Sequence, residues 1–141
     1  GLKVVLMPME RERDLPIAEA IADAMSCDAV VMRGRYNVNA VIGMLARMRL
    51  IVAMRLHALV FGAGQGVPVI GISYDDKVSR FMDYIGRELC IAYDECNYEK
   101  LKSYIDIALR DEAISQKLRE STKLIRENER ANVRAAKEFF K

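Results

Sequence analysis

The sequence predicts an α/β protein, a Rossmann-like parallel sheet of about five strands with helices on both faces. Two observations carry this. Short apolar runs recur along the chain, each followed by a charged turn and an amphipathic segment, which is the βαβ pattern. The pattern is sharpest from Met54 to Lys77, MRLHALVFGAGQGVPVIGISYDDK, where two such units meet. In sheets of this kind ligands bind outside the carboxyl ends of the strands. The clusters Arg55/His57 and Asp75 to Lys77 fall at those ends.

Taken in order, Val4 to Met7 is a continuous apolar run closed by Pro8 and reads as a buried strand. Asp14 is placed to cap the next helix, with Pro16 in its first turn. Ile17, Ile21, Ala24 and Met25 recur at helical spacing and predict its buried face. Asp28 to Met32 is the second strand. Asn37 opens a helix whose apolar stripe is Val38, Val41, Ile42, Leu45 and Met48. Leu50 to Met54 and Val67 to Ser73 are the third and fourth strands. Between them Leu56 to Gly64 predicts a short helix of small residues packed closely on the sheet. Asp75 or Asp76 caps the helix of Phe81, Met82 and Ile85, which stops at Gly86. Cys90 to Tyr93 is a short edge strand. Tyr98, Leu101, Tyr104, Ile105, Ala108 and Leu109 mark another amphipathic helix.

From Glu112 to Lys141 the chain predicts a long charged helix with apolar positions Ile114, Leu118, Ile125, Ala135 and Phe139. A helix this polar bridges domains or leans on a neighbour. The expected organisation is a Rossmann-like domain over 1–111 and a helical extension over 112–141. Gly1-Leu2-Lys3 leads directly into a strand without an initiator methionine, which reads as a fragment of a longer chain.

At 141 residues the chain is long enough for one domain with a real core. Its formal net charge of +2 gives no global signal for nucleic acid or a membrane, and its surplus cations lie in the tail. Cys27, Cys90 and Cys96 form no CxxC pair and read as free thiols. One histidine and no ligand-spaced cysteines argue against a structural zinc site. No apolar run is long enough to span a bilayer and no signal-peptide pattern is present.

The expected strand-to-helix turns share a positive character that total charge hides. Arg11 and Arg13, Arg33 and Arg35, Arg55 and His57, and Lys77 follow successive strands, so they point to one sheet edge. Helix N-termini meet that edge with N–H groups and positive dipole ends. The sum is an anion site, with Arg11 and Arg13 the members best read as solvated turn residues. Arg55 sits between apolar Met54 and Leu56, where a guanidinium without an anion is costly. If Arg55-Leu56-His57 is extended, Arg55 and His57 leave the same face; if it is helical, they diverge and the pairing fails. Arginine binds a carboxylate or phosphate through two parallel bonds, and histidine transfers protons near neutral pH. Gly62-Ala63-Gly64-Gln65-Gly66 is a poor dinucleotide fingerprint, because it follows a helix rather than a strand. These glycines instead end the helix and let it approach the sheet.

With R-L-H after the third strand, G-V-P-V-I into the fourth and Y-D-x-K at its end, this stretch resembles the signature of the polysaccharide pyruvyl transferases, in particular the CsaB-type cell-wall branch. Asp76 stands where that family often has proline. The resemblance implies the C-terminal half of a two-domain, glycosyltransferase-B-like enzyme, with the N-terminal domain as its missing partner. It implies transfer of pyruvate from phosphoenolpyruvate to a saccharide of a cell-wall or exopolysaccharide precursor, closing a cyclic ketal. Phosphoenolpyruvate would be the donor substrate, with no cofactor, and the acceptor a lipid-linked sugar. The enzyme would be cytoplasmic, working at the inner membrane face. Carried over by position, Arg55 and His57 are the catalytic pair. Arg55, Leu56, Asp75 and Lys77, joined by Arg33 and Arg35 on the charge argument, form the substrate site. The isolated chain would be inactive, its cleft lacking one wall.

Two other readings use the same residues. The chain could be the donor half of a nucleotide-sugar glycosyltransferase, which has a similar fold and a G-x-P-V element but no call for R-L-H. It could also be a non-catalytic α/β module with Asp75 and Asp76 as receiver-like acids and the tail as a partner-binding rod.

Overall fold

A computed structural model describes residues 1–86, 89–110, 113, 116–120, 122, 123 and 127. Strands β1 (Val4–Leu6), β2 (Ala29–Val31), β3 (Ile51–Ala53), β4 (Val69–Ser73) and β5 (Cys90–Ala92) alternate with helices α1 (Arg11–Ala24), α2 (Val38–Leu45), α3 (Leu56–Gly64), α4 (Asp76–Tyr84) and α5 (Tyr98–Arg110). A single 3-10 turn, Tyr93–Glu95, separates β5 from α5. All five expected strands form, most of them shorter at their ends than the apolar runs. All of their pairings are parallel, so the fold class is Rossmann-like α/β.

The expected single sheet is instead recorded as two. β1 pairs with β2, and β3, β4 and β5 pair in that order, leaving β5 at an edge of its sheet as expected. The chain divides into two compact units, Gly1–Val38 and Asn39–Lys141. The domain boundary expected after residue 111 lies outside the described residues.

In the first unit α1 begins at Arg11 rather than after Asp14. Asp14 lies inside the helix and reaches back, its Oδ2 accepting from the N–H groups of Met9 (3.1 Å) and Glu10 (2.9 Å). The carboxylate thus satisfies donors just ahead of the helix instead of capping from outside. Pro16 consequently sits in the helix interior. The buried face expected for α1 is also shifted. Ala18 is buried, whereas Ile17 and Ile21 are 60% and 45% exposed. Within this unit the two strands offer too little surface to cover both isoleucines.

The second unit holds the core. Ile70 and Ile91 are fully buried, with Leu89 and Ala108 beside them, and Leu101, Tyr104 and Ile105 of α5 pack against this cluster. Each such aliphatic side chain contributes about 1.5–3 kcal/mol through burial. Tyr98, expected on the same stripe, is exposed at the start of α5, and Val38 is exposed at the start of α2. On α4, Val78 and Met82 are the buried residues. Gly86, at φ 106°, follows the end of that helix, as the sequence predicts.

Close packing of α3 depends on Gly62. A Cβ there would meet Ile51 Cδ1 at 2.3 Å and Val69 Cγ1 at 3.3 Å, so the bare backbone lets the helix press against β3 and β4. Gly66 then supplies the positive φ (74°) that turns the chain into β4. Of the tail's expected apolar stripe only Leu118 is described, and it is buried. The hydroxyl of Thr122 donates to the Ala63 carbonyl at 2.9 Å, tying this segment to the end of α3. The rest of the expected long helix lies outside the described residues.

This packing predicts opposite outcomes for two glycine substitutions. Gly62→Ala should destabilise the chain by about 1–3 kcal/mol through overpacking against Ile51. At Gly43 of α2 an added Cβ meets nothing within 4 Å. Gly43→Ala should therefore stabilise by about 0.5–1 kcal/mol. Urea unfolding of both variants checks this, and equal midpoints would refute the close-packing account.

Candidate active site at the carboxyl ends of β3 and β4

β3 and β4 run parallel, with Ile51 opposite Val69 and Ala53 opposite Gly71, so the residues after Ala53 and after Ser73 leave the same sheet edge. Arg55 and His57 follow the first strand, and Asp75 and Lys77 follow the second. The structure thus gathers Arg55, Leu56, His57, Asp75 and Lys77 at one edge of the second unit. Arg33 and Arg35 belong to the first unit, where both are exposed. Arg33 Nε is held by Glu19 Oε1 at 2.8 Å, and its carbonyl accepts from Arg11 Nε at 3.2 Å. Arg13 pairs with Glu10 at 3.2 Å. Arg11 and Arg13 therefore lie within α1 rather than in the turn before it.

Arg55 is the residue preceding α3, with extended backbone (φ −83°, ψ 120°), and the helix starts at Leu56. Of the two local geometries open to Arg55-Leu56-His57, the chain adopts the helical one. Successive side chains then rotate by roughly 100° per residue, so the shared extended face is not formed. Arg55 is half-buried and His57 exposed, and the imidazole lies over Phe61 one turn on, at a centroid distance of 6.1 Å and tilted by 44°.

The two helix starts differ electrostatically. Asp75 is the N-cap of α4, and its Oδ1 accepts from the N–H groups of Lys77 (3.0 Å) and Val78 (3.1 Å). Ser73 Oγ donates to the Asp75 carbonyl at 2.9 Å and steadies the turn. The expected anion-binding amides of α4 are therefore occupied by this carboxylate. At α3 no side chain hydrogen-bonds the first-turn amides, and the N-cap residue is Arg55. A cationic residue there opposes the helix dipole, whereas an anion would complement it. The edge therefore has one helix start capped by a carboxylate and one without a side-chain cap.

A concave surface along α5, lined by Glu99, Lys102, Ser103, Asp106, Ile107 and Arg110, contains no strand-end residue. Among the described residues no group of His, Cys, Asp and Glu side chains is placed to hold a metal ion, and no helix is long and apolar enough to cross a membrane.

A family model for polysaccharide pyruvyl transferases matches residues 1–76, just over half of the chain, and takes in β3, Arg55, His57 and the start of α4. The chain belongs to the polysaccharide pyruvyl transferase family. No curated protein sequence matches it. Among solved structures, the glycotransferase of kitacinnamycin is similar, with a TM-score of 0.61 and 13% identity over 89% of this chain. At that identity the likeness is one of fold, and this pyruvyl transferase-family chain spans only 38% of the other's length. The R-L-H stretch, Arg55-Leu56-His57, lies within the matched region.

Two shifted groups lie at the start of α5. Glu95 is held below the usual carboxylate range, chiefly by the hydrogen bond from Lys100, and the same bond raises the Lys100 ammonium. A depressed carboxyl favours the folded chain above the ordinary carboxylate range, and that contribution fades as pH falls through the depressed value. The raised ammonium favours it below the ordinary lysine range and loses its effect as pH rises through the raised value. Both groups are exposed, so the effect is small. Unfolding midpoints of Glu95→Gln should show a shallower loss of stability on acidification than the parent, and identical pH profiles would show the pair to be inert.

The cap has a larger predicted effect. Asp75→Ala should cost about 0.5–2 kcal/mol in urea unfolding, with Asp75→Asn recovering most of it. An unchanged midpoint in Asp75→Ala would remove Asp75 from a capping role.

Proposed function

We propose that this chain is the C-terminal half of an enzyme that transfers pyruvate from phosphoenolpyruvate to a saccharide and closes a cyclic ketal. The observation that carries the reading is the uncapped start of α3, with Arg55 at its N-cap and His57 in its first turn, inside the region that matches the family. Phosphoenolpyruvate carries a carboxylate and a phosphate and suits an edge built from cations and backbone N–H groups. Arg55 would hold one anionic end through paired bonds, assisted by the first turn of α3, with Leu56 forming part of its wall. Lys77 would contact the other, and Asp75 would fix the turn from which Lys77 extends.

The chemistry needs a proton at the methylene carbon. His57 would deliver it, making C2 electrophilic and converting the methylene to a methyl group. One sugar hydroxyl bonds to C2 and loses its proton. A second hydroxyl then displaces inorganic phosphate, closing the ketal and releasing a second proton. Of the two hydroxyl protons, one restores the acid and the other leaves with phosphate. This role asks His57 and Arg55 to reach different parts of one donor, so it does not need them side by side. A lipid-linked acceptor, action at the cytoplasmic face of the membrane and a preceding N-terminal domain belong to the same reading.

In the full-length enzyme His57→Ala should lower kcat by about 10²–10⁴-fold with donor binding retained. Arg55→Lys should weaken donor binding, because an ammonium cannot reproduce the paired contact. Calorimetry for binding and a phosphate-release assay separate the two, and undiminished turnover in His57→Ala would refute the assignment.

The similarity in fold to a glycotransferase favours one second reading, the donor half of a nucleotide-sugar glycosyltransferase. Release of nucleotide rather than phosphate would select it.

A further inference from the structure

Two tyrosines occupy the same edge as Arg55 and Lys77 without a part in the donor chemistry. The last registered pair between β4 and β5 is Ser73 opposite Ala92, and the residue that follows each strand is a tyrosine, Tyr74 and Tyr93. Their exposures are 54% and 64%. A single exposed tyrosine is ordinary. Two that directly follow a registered pair of neighbouring parallel strands start from adjacent backbone positions, and both stand in hydrogen-bonded turns. Tyr74 lies between β4 and the Asp75 cap, while the carbonyl of Tyr93 accepts from the Cys96 N–H at 3.2 Å in the 3-10 turn. Exposed carboxylates accompany both, Asp94 beside Tyr93 and Asp76 two residues after Tyr74.

We infer that Tyr74 and Tyr93 form a platform for the pyranose ring of a neutral saccharide, with Asp76 and Asp94 accepting from its hydroxyls. As the acceptor's place at this edge, the inference rests on the pyruvyl transfer reading. A pyranose has an apolar C–H face and a hydroxyl-rich rim. Tyrosine offers a flat apolar face with a polar tip and only two side-chain torsions to immobilise. Carboxylates placed around such rings accept from hydroxyls while the rings cover the C–H face. A small anion such as phosphoenolpyruvate has no use for either feature, so this part of the edge suits a different ligand from the cationic part.

The test labels tyrosine ring carbons in this chain and follows them by NMR during titration with diacetylchitobiose, cellobiose and a galactobiose. The ring signals of Tyr74 and Tyr93 should move with at least one disaccharide. Those of Tyr84, 62% exposed at the far end of α4, should not. Tyr74→Ala and Tyr93→Ala should each weaken that binding about three- to tenfold, and Tyr74→Phe should retain it. Stationary Tyr74 and Tyr93 signals with all three sugars overturn the inference, as does equal movement of Tyr84. Equal shifts with saccharide-free phospholipid vesicles would assign the rings to a bilayer and overturn it too. His57 signals, followed during a separate phosphoenolpyruvate titration, keep the readings apart. Sugar binding without a donor response sinks the pyruvyl transfer reading alone, and the reverse sinks this one alone.

Discussion

The contact on which the second unit depends is the approach of α3 to β3 and β4 across Gly62. With no side chain at that point, Ile51 fills the space a Cβ would take, and Leu59, Ala58 and Ala63 are buried around it. Close packing of this kind leaves little play. It fixes the start of α3 relative to the carboxyl end of β3, and therefore fixes Arg55 and His57. The tail strengthens the same end of this element, where Thr122 hydrogen-bonds the Ala63 carbonyl. A helix of small, apolar residues is thus anchored at its C-terminal end, and its first turn follows β3 at the sheet edge.

That edge is organised by contrast rather than by uniform charge. α4 begins under a carboxylate that consumes two of its amides, and α3 begins at Arg55 with no side-chain cap. An incoming anion meets a receptive helix start at one strand and a saturated one at the next. Beyond them, β4 and β5 are each followed by an exposed tyrosine. Basic and aromatic residues therefore follow three consecutive strands at one edge.

Some of this was legible in the chain itself. Leu56 to Gly64 emerges as a helix with the bounds that its composition suggests, and Asp75 caps where a carboxylate before a helical stripe should. These are local effects, decided by a few consecutive residues. Asp14 shows the limit of such reading, since a carboxylate near a helix start satisfies backbone donors equally well from inside the helix or from the N-cap. Ile17 and Ile21 show another, because periodicity identifies an apolar face but not whether anything covers it. The tyrosine pair gave no local signal, since Tyr74 and Tyr93 become neighbours only through the β4–β5 register.

The sequence by itself determined the order of strands and helices, the R-L-H and Y-D-x-K stretches that resemble the family, and the basic residues that follow the strands. These follow from periodicity, turn chemistry and residue type, which act over a few residues. Only the tertiary structure decided that Arg55 lies just outside α3 while His57 lies within it, that α4's amides are already taken, and that the strands pair as two and three. Each of these depends on where hydrogen bonds and buried surface go once distant segments meet, and no single stretch of chain contains that information.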